Sequence, residues 1–353
     1  MKKMPNLPED LVEEILSRLP LTTLTLMRTT CKRWYNLSKD RRFAKKHIAQ
    51  ATTKESDFVA IMLLNCRVYL TNVNLNGILN NSDPLLKPRG KIISLYGSDE
   101  VGYTFRVFHC EGLLLCNTKD YTKLVVWNPY FGQTRWIYVE PRCADHEKIW
   151  YENALGYDKR KPTRAYKILR FAHFLLEEPE IYEFNTNLWR VLDVTPDWRI
   201  LYNHHGVSLK GNTYWFASDK DSSDNVPDFL LGFNFTTEKF GPRLPFPFEK
   251  EQLAVLHQEW HGDLATHIWI TTKIEPNTVS WSKFLEVNMQ PRTANRVVVV
   301  YDTNNDMYNP TRHVAYITGE NGYYREVDLG EIKIGCYPLG CLYVPSLIRI
   351  NQL

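Results

Sequence analysis

The chain has 353 residues, of which 44% are hydrophobic and 24% are charged, a composition typical of a globular protein with room for one large domain or for a small domain beside a large one. The net charge of +3 is small for this length, so binding to nucleic acid or to an anionic membrane, which needs a concentrated basic patch, is not expected. No apolar run approaches the ~18 residues that span a bilayer, and the start, MKKMPNLPEDLVEE, lacks the apolar core of a signal peptide.

The seven cysteines are an odd number in a chain without a secretory signal. Disulfides form mainly in oxidising compartments, so we expect reduced thiols and a location in the cytoplasm, the nucleus or both. Most of these cysteines should serve as small side chains of the core.

Three short helices are predicted near the N-terminus. Pro8 suits the start of the first, because a helix does not need the N–H group that proline lacks there. An apolar stripe at helical spacing follows from Leu11 to Leu19, and Pro20 ends the helix. Such a small unit cannot be stable by its own core. Its apolar side chains therefore need another surface, either the rest of this chain or a separate protein.

The second and third helices are predicted from their caps. Thr22 or Thr23 can cap a second helix that carries an apolar stripe as far as Trp34. Asp40 can cap a third helix that runs through Phe43.

The segment LPEDLVEEILSRLP, followed after a spacer by CKRW and then by Phe43 and His47, resembles an F-box in the order and spacing of its parts. The resemblance implies docking on the Skp adaptor of SCF ubiquitin ligases, which sits on a cullin scaffold. Carried over position by position, it makes these residues candidates for adaptor contact: Leu7, Pro8, Leu11, Ile15, Leu16, Leu19, Pro20, Leu24, Cys31 and Trp34. At each of them packing within the helical unit is the alternative, above all for Trp34.

The remainder of the chain is predicted to be all-β. From Phe58 onward, apolar stretches such as VAIMLL, GLLLC, KLVVW and RVVVVY alternate with Gly, Asn, Asp and Pro, which predicts strands and turns. A degenerate hairpin repeat, seen in WNPYFGQTRW, FNTNLW and FNFTTEKF, indicates four-stranded sheets around an axis, a β-propeller. Its irregular spacing leaves the number of blades open, and a pair of two-sheet sandwiches is the alternative.

A second resemblance concerns this β-rich part. In order along the chain, EGLLLC, LVVWNP, KGNTYWFA, WSKFL and YVPSLIRI resemble the F-box associated domain of plant F-box proteins, which is kelch-propeller-like. His109 stands where that family usually has a serine. The two resemblances imply an F-box over 1–48, a linker over 49–57 and an interaction domain over 58–353. They also imply a non-catalytic subunit that binds a target protein for ubiquitination.

Catalytic and metal sites are not supported by the motifs. HQEWHGDLATH spaces His257, His261 and His267 as in a metzincin zinc site, but Gln258 occupies the position of the base and HIWI is typical of a strand. No cysteine pair has C-x-x-C spacing, and neither a nucleophile elbow nor a Gly-rich phosphate loop is present. We therefore predict no catalytic residue, no metal and no cofactor.

Two other functional classes stay open at this point. One is a propeller that binds a glycan or a small molecule without a role in ubiquitination, which would show a ligand pocket. The other is a propeller hydrolase, which would show a cluster of acids with perturbed pKa values, or a metal, at the axis.

Aromatic residues in predicted turns, which we expect to be exposed, are the candidates for contact with the unknown target protein. Aromatic side chains dominate binding hot spots, although they also fill cores. The candidates are Tyr130, Phe131, Trp198, Tyr202 and Trp260.

Overall fold

The structure is a computed structural model that describes most of the chain. The described ranges are 8–19, 21–51, 57–64, 67–74, 106–118, 122–139, 151–160, 164–172, 178–200, 205–222, 229–245, 255–258, 265–275, 278–288, 298–303, 312–319, 323–331, 339–343 and 345–350. An all-α N-terminal segment is followed by an all-β domain, which confirms the predicted fold class.

The N-terminal segment contains the helices α1 (Glu9–Ser17), α2 (Leu21–Met27), α3 (Lys32–Lys39) and α4 (Arg41–Ala51). The predicted second helix is therefore two helices with a turn between them. In that turn the hydroxyl of Thr30 donates to the carbonyl of Met27 at 2.7 Å, a side-chain bond that competes with helix continuation. Asp40 caps α4 as predicted, because its Oδ1 accepts from the backbone N–H groups of Arg42 at 2.7 Å and Phe43 at 3.1 Å.

The domain boundaries proposed from the sequence, at 48 and 58, lie close to the ends of these elements. Helix α4 continues to Ala51 and the first strand begins at Asp57. The predicted linker 49–57 therefore has helical residues at its start and a strand residue at its end, and its middle lies outside the described residues.

The described part of the β domain consists mainly of strands. They are β1 (Asp57–Leu64), β2 (Arg67–Asn74), β3 (Val107–Cys110), β4 (Leu113–Asn117), β5 (Lys123–Asn128), β6 (Gln133–Tyr138), β7 (Tyr151–Asp158), β8 (Ala165–Ala172), β9 (Glu180–Glu183), β10 (Leu188–Val191), β11 (Trp198–Arg199), β12 (Val207–Leu209), β13 (Asn212–Asp219), β14 (Phe229–Asn234), β15 (Lys239–Phe240), β16 (Leu244–Pro245), β17 (Val255–Gln258), β18 (Ala265–Glu275), β19 (Thr278–Asn288), β20 (Val298–Thr303), β21 (Arg312–Gly319), β22 (Tyr323–Glu331) and β23 (Leu339–Leu342).

These strands form six antiparallel sheets within the described ranges, which we number along the chain. Sheet 1 has the order β2-β1-β23, sheet 2 β3-β4-β5-β6, sheet 3 β7 to β10, sheet 4 β11 to β16, sheet 5 β17-β18-β19 and sheet 6 β20-β21-β22. Sheet 1 joins the first strand of the domain to the last, with Ala60 opposite Leu342. This pairing of the two ends of the domain is what closes a propeller into a ring.

The burial of sheet 2 explains why the sequence of its strand β4 is a continuous apolar run. Along β4, Leu113 and Leu115 face a core shared with sheets 3 and 4, while Leu114 and Cys116 face a core shared with sheet 1. Side chains alternate between the two faces of a strand, so a sheet that is covered on both faces needs apolar residues at every position. Stacked sheets of this kind are the blades of a propeller.

The C-terminal segment 345–350 holds the edge of sheet 2. Asn128 is fully buried and donates from Nδ2 to the carbonyls of Ser346 at 3.1 Å and Ile348 at 2.6 Å. The backbone N–H of Ile350 donates to Oε1 of Gln133 at 3.0 Å. The closing YVPSLIRI segment therefore supports the β5–β6 turn, which in turn contacts the helices.

Acidification should reduce the stability of this fold, in part through His109. Burial lowers the pKa of His109 from 6.5 to about 4, and its Nε2 accepts from the backbone N–H of Gly112 at 3.0 Å. The unfolded chain has the higher pKa and binds the proton first, so this contribution is complete above pH 6.5 and is lost as the pH falls toward 4. We expect a loss on the order of 2 to 3 kcal/mol, measured by urea denaturation at several pH values.

The control for this prediction is His109→Ser, which places the residue usual for the family at this position. Its free energy of unfolding should depend less on pH over the same range. Equal pH slopes for the native chain and the variant would show that His109 is not responsible.

Candidate adaptor-binding interface

Helix α1 has one buried and one exposed apolar face. Val12 and Leu16 are 6% and 3% exposed, whereas Leu11 and Ile15 are 51% and 52% exposed. Residues four positions apart lie on the same face of a helix, so the two exposed side chains are neighbours. Two large aliphatic residues side by side on a well-formed helix provide an apolar surface for a partner.

The buried face of α1 belongs to a small core within the helical segment. Val12 and Leu16 pack there with Leu24 of α2 and Phe43 of α4, while Leu19 and Trp34 are partly buried against them. Leu16 and Leu24, two of the predicted adaptor contacts, thus lie inside the segment. Their packing fixes the position of the face that carries Leu11 and Ile15.

Ion pairs at the surface link α1 to α4, and one further pair runs along α1 itself. Nζ of Lys46 lies 3.2 Å from Glu13 and 2.8 Å from Glu14, and Arg18 pairs with Glu14 at 2.5 Å. The hydrogen bond from Lys46, followed by that from Arg18, lowers the pKa of Glu14 below its usual range. These groups are exposed and screened by water, so the pairs contribute little to stability.

The other predicted adaptor contacts are placed as follows. Pro8 is exposed and precedes α1, and its carbonyl accepts from the N–H of Val12 at 3.1 Å. Cys31 is exposed with an unpaired thiol at the start of α3. Leu7 and Pro20 lie outside the described residues.

The opposite side of the helical segment packs on the β domain. Leu21 and Ala44 share a core with residues of sheets 1 and 2. Tyr130 is fully buried in this core, 5.7 Å from His47 between ring centroids. On the other side of the contact, Arg349 donates to the carbonyl of Lys39 at 2.7 Å. The helices and the propeller therefore share one apolar interface.

This interface corrects the expectation that the turn aromatics of sheet 2 are exposed. Tyr130 has no exposed surface and Phe131 is 4% exposed, with the two rings edge to face at 5.0 Å. The turn is covered by the helical segment, which local sequence could not show. As buried residues, both are placed to hold the helices on the propeller and not to contact a target.

Trp198 is also buried, contrary to the same expectation. It is 8% exposed and packs against Phe171 at 5.3 Å and Phe240 at 4.7 Å between ring centroids. Its aromatic neighbours come from sheets 3 and 4, so the residue joins two blades. Tyr202 and Trp260, the remaining candidates, lie outside the described residues.

Two polar residues of this interface were not assigned a role from the sequence. The ring of His47 is buried, which lowers its pKa, so it is neutral at pH 7 and donates from Nε2 to the carbonyl of Leu19 at 2.8 Å. Arg28 donates from Nε to the hydroxyl of Ser38 at 3.0 Å, and its guanidinium lies 5.6 Å from the ring centroid of Tyr130. The position of His47 behind Phe43 was the only signal for it in the sequence.

The described residues hold no group of three or more His, Cys, Asp and Glu side chains that could bind a metal ion. Within the histidine-rich segment, His257 lies in β17 opposite His267 in β18, so these two histidines do not share the face of one helix as a metzincin site requires. His261 lies outside the described residues. Among the helices of the described ranges, none is long and apolar enough to cross a membrane.

Comparison with known families assigns both parts of the chain. Residues 4–46 match the F-box domain, and residues 59–350, well over half of the chain, match the F-box associated beta propeller domain. This chain is an F-box protein. The family confirms the helical F-box and the propeller that were inferred from the two resemblances.

Curated relatives of this F-box protein include proteins from Arabidopsis thaliana. One F-box protein is 50% identical over 389 aligned residues, which cover 99% of this chain and 96% of that protein. An F-box/kelch-repeat protein is 45% identical over 403 residues, with coverage of 99% and 100%. Among solved structures, a nidogen/laminin complex reaches a TM-score of 0.37 at 9% identity, over 81% of this chain and 96% of that one. That similarity is too low to carry an argument.

The two domains indicate a general role. An F-box implies binding to a Skp adaptor, and an F-box followed by an F-box associated propeller indicates a substrate-recognition subunit of SCF ubiquitin ligases. Neither matching family is a family of enzymes.

Proposed function

We propose that this F-box protein binds a Skp adaptor through the exposed apolar face of α1 and presents a target protein on its propeller. The observation that supports the proposal most strongly is the pair Leu11 and Ile15, each about half exposed on a helix whose other face is packed. Pro8 and Cys31 are exposed on the same helical segment and extend the surface. Leu7 and Pro20 are proposed to belong to it by their positions in the F-box motif.

The remaining predicted residues are proposed to act from beneath this face. Leu16 and Leu24 are buried, and Leu19 and Trp34 are partly buried against the same core. They would keep the helices at the angle that the adaptor requires. Partly exposed members of this set can also contact the adaptor at the edge of the interface.

The proposed mechanism is proximity without catalysis by this chain. The adaptor would join the receptor to a cullin scaffold, in the cytoplasm or the nucleus. Holding a lysine of the target near the ubiquitin-charged enzyme raises the effective concentration of the two reacting groups. A receptor that works in this way does not need an acid, a base or a nucleophile. The shared core between helices and propeller supports this role, because it restricts the position of the target relative to the adaptor.

The test is binding of the full chain to a purified Skp adaptor, beside the variant Leu11→Asp, Ile15→Asp. Each aspartate would place an unpaired charge in the proposed interface, which costs several kcal/mol when it is buried. We expect affinity to fall by about 100-fold or more, a loss of at least ~2.7 kcal/mol. Calorimetry would measure the affinity, and circular dichroism would show whether the variant remains folded.

A matched control places the same charges on other exposed apolar residues. Leu188 and Val191 of β10 are 66% and 45% exposed, so Leu188→Asp, Val191→Asp should leave adaptor binding within about twofold of the native value. Absence of native binding at micromolar adaptor, or equal loss in both variants, would contradict the proposal.

A further inference from the structure

Three turns from neighbouring blades meet at one end of the propeller. They are the β3–β4 turn with Glu111, the β7–β8 turn with Lys159, and the β12–β13 turn with Lys210. Tyr157 connects them, because its hydroxyl donates to Oε1 of Glu111 at 2.7 Å and its backbone N–H donates to the carbonyl of Gly211 at 3.2 Å. We call the described residues of these three turns, together with Asp158 at the end of β7 and Arg164 directly before β8, the turn cluster.

The arginines of the turn cluster are neutralised by its acids. Arg160 donates twice to Asp158, at 3.1 Å and 2.8 Å, and Arg164 pairs with Glu111. The charged residues of the turn cluster that the structure describes are four cations (Lys159, Arg160, Arg164, Lys210) and two anions (Glu111, Asp158), with a net charge of +2.

The two lysines carry the remaining charge and are accessible. Lys159 and Lys210 are exposed, and neither forms an ion pair within the part of the chain that the structure describes. The backbone bond from Tyr157 to Gly211 brings the turns that carry the two lysines together. Partial burial, followed by the positive charge of Lys210, lowers the pKa of Lys159, and the carboxylate of Glu111 opposes this shift.

Two turns of the turn cluster have non-glycine residues in the left-handed backbone region, a conformation that is unfavourable for such residues. Both central residues of the two inner turns have positive φ, with Glu111 at 44° and Gly112 at 80°, and Lys210 at 48° and Gly211 at 78°. Hairpin turns of this kind favour Asn or Asp before the glycine, and longer side chains are uncommon there. Local propensity therefore does not account for the lysine at position 210. Non-glycine residues in this region are concentrated at functional sites.

We propose that Lys159 and Lys210 of the turn cluster form a binding site for an acidic segment of the target protein. The site lies at the end of the sheets that also bears the β5–β6 turn, because β3 and β5 run in the same direction in sheet 2. The F-box contacts that β5–β6 turn through Tyr130. A target bound at the turn cluster would therefore lie on the end of the propeller that also carries the F-box.

Aspartate and glutamate side chains fit this site better than a phosphorylated residue. Phosphopeptide sites typically use arginine forks that bind two phosphate oxygens at once. The two arginines of the turn cluster already bind Asp158 and Glu111. Two separate lysine ammonium groups suit two single carboxylates of an extended peptide.

This proposal rests on the proposed receptor function and adds to it the chemical class of the target segment. Adaptor binding and peptide binding are therefore measured separately. The full chain would be titrated into a fluorescein-labelled peptide of alternating Glu and Gly, and binding followed by fluorescence anisotropy at two salt concentrations. We expect saturable, salt-sensitive binding that falls at least tenfold in Lys159→Glu, Lys210→Glu, while adaptor affinity is unchanged. Peptide binding without adaptor binding would overturn the receptor function alone.

Two further variants keep this test decisive. Lys45→Glu, Lys220→Glu changes the net charge equally at exposed residues outside the turn cluster, and should retain peptide affinity within about twofold. Lys210→Asn removes one cation but suits the left-handed turn, so any weakening of binding cannot come from a misfolded turn. We expect this variant to lose affinity severalfold while its melting temperature stays equal or rises.

The outcomes separate the proposal from its alternatives. The proposal would be overturned if the native chain did not bind the acidic peptide saturably. It would also be overturned if the turn-cluster and control variants lost peptide affinity equally. Binding of a serine-phosphorylated peptide of matched length, with none of the glutamate peptide, would overturn the assignment to carboxylates.

Discussion

Replacing Glu152 by alanine should lower the free energy of unfolding by about 3 to 5 kcal/mol. Glu152 lies in β7 and is 3% exposed. One oxygen, Oε2, accepts from Arg106, and the other, Oε1, accepts from Nε1 of Trp215 and from the N–H of Gly206, each at 3.3 Å. These partners come from sheets 2 and 4, so a single carboxylate joins three blades.

The expected loss of unfolding free energy follows from the buried groups that would remain in the Glu152→Ala variant. Arg106, whose side chain is 12% exposed, would lose the carboxylate of Glu152 while remaining largely buried. Removing one member of a buried ion pair costs more than the intact pair contributes. Urea denaturation followed by tryptophan fluorescence and by circular dichroism would measure the change in unfolding free energy.

Two controls separate the charge from the hydrogen bonds. Glu152→Gln keeps an acceptor oxygen for Trp215 and Gly206, and should lose less than the alanine variant. The double variant Arg106→Met, Glu152→Met removes both charges and should recover part of the loss. A cost below about 1 kcal/mol for Glu152→Ala would mean that this ion pair does not hold the blades together.

Replacing Gly156 by alanine should cost about 3 kcal/mol of unfolding free energy through steric overlap alone. A Cβ at this position of β7 would lie 2.1 Å from Cδ2 of Phe235 and 2.6 Å from the carbonyl oxygen of Gly211. Phe235 is fully buried, and the Gly211 carbonyl accepts from Tyr157. Neither neighbour can move away without disturbing the packing between sheets 3 and 4. The loss would appear as a lower melting temperature and a lower urea midpoint.

Gly132→Ala is the matched control for Gly156→Ala. Gly132 has a φ of +64° and an added Cβ would meet no atom within 4 Å, so Gly132→Ala tests backbone conformation without overlap. We expect about 1 kcal/mol there. Equal costs at the two glycines would argue against the close contact at Gly156.

Local sequence was sufficient for the elements whose causes are local. Asp40 caps α4 because its carboxylate lies next to the first free N–H groups of the helix, whatever the rest of the chain does. The strands of sheet 2 could be predicted because continuous apolar runs between turn residues indicate a sheet covered on both faces. The F-box motif likewise marked the segment that carries Leu11 and Ile15.

Contacts between residues far apart in the chain decided the rest. The second predicted helix is divided near Thr30, and the turn around Tyr130 is covered by helices more than 80 positions earlier. Trp198 is buried because strands from two sheets place Phe171 and Phe240 beside it. Nothing in the local pattern of an aromatic turn tells whether another part of the chain will cover it.

Contacts between distant parts of the chain also determine the two surfaces proposed for binding. The sequence by itself determined that this is an F-box protein with a propeller, because both families are recognised by residues in a fixed order. Only the tertiary structure decided which leucines of the F-box stay exposed, and that Lys159 and Lys210 lie in adjacent turns. Exposure and proximity are properties of packing between distant segments, and packing is set by the whole chain.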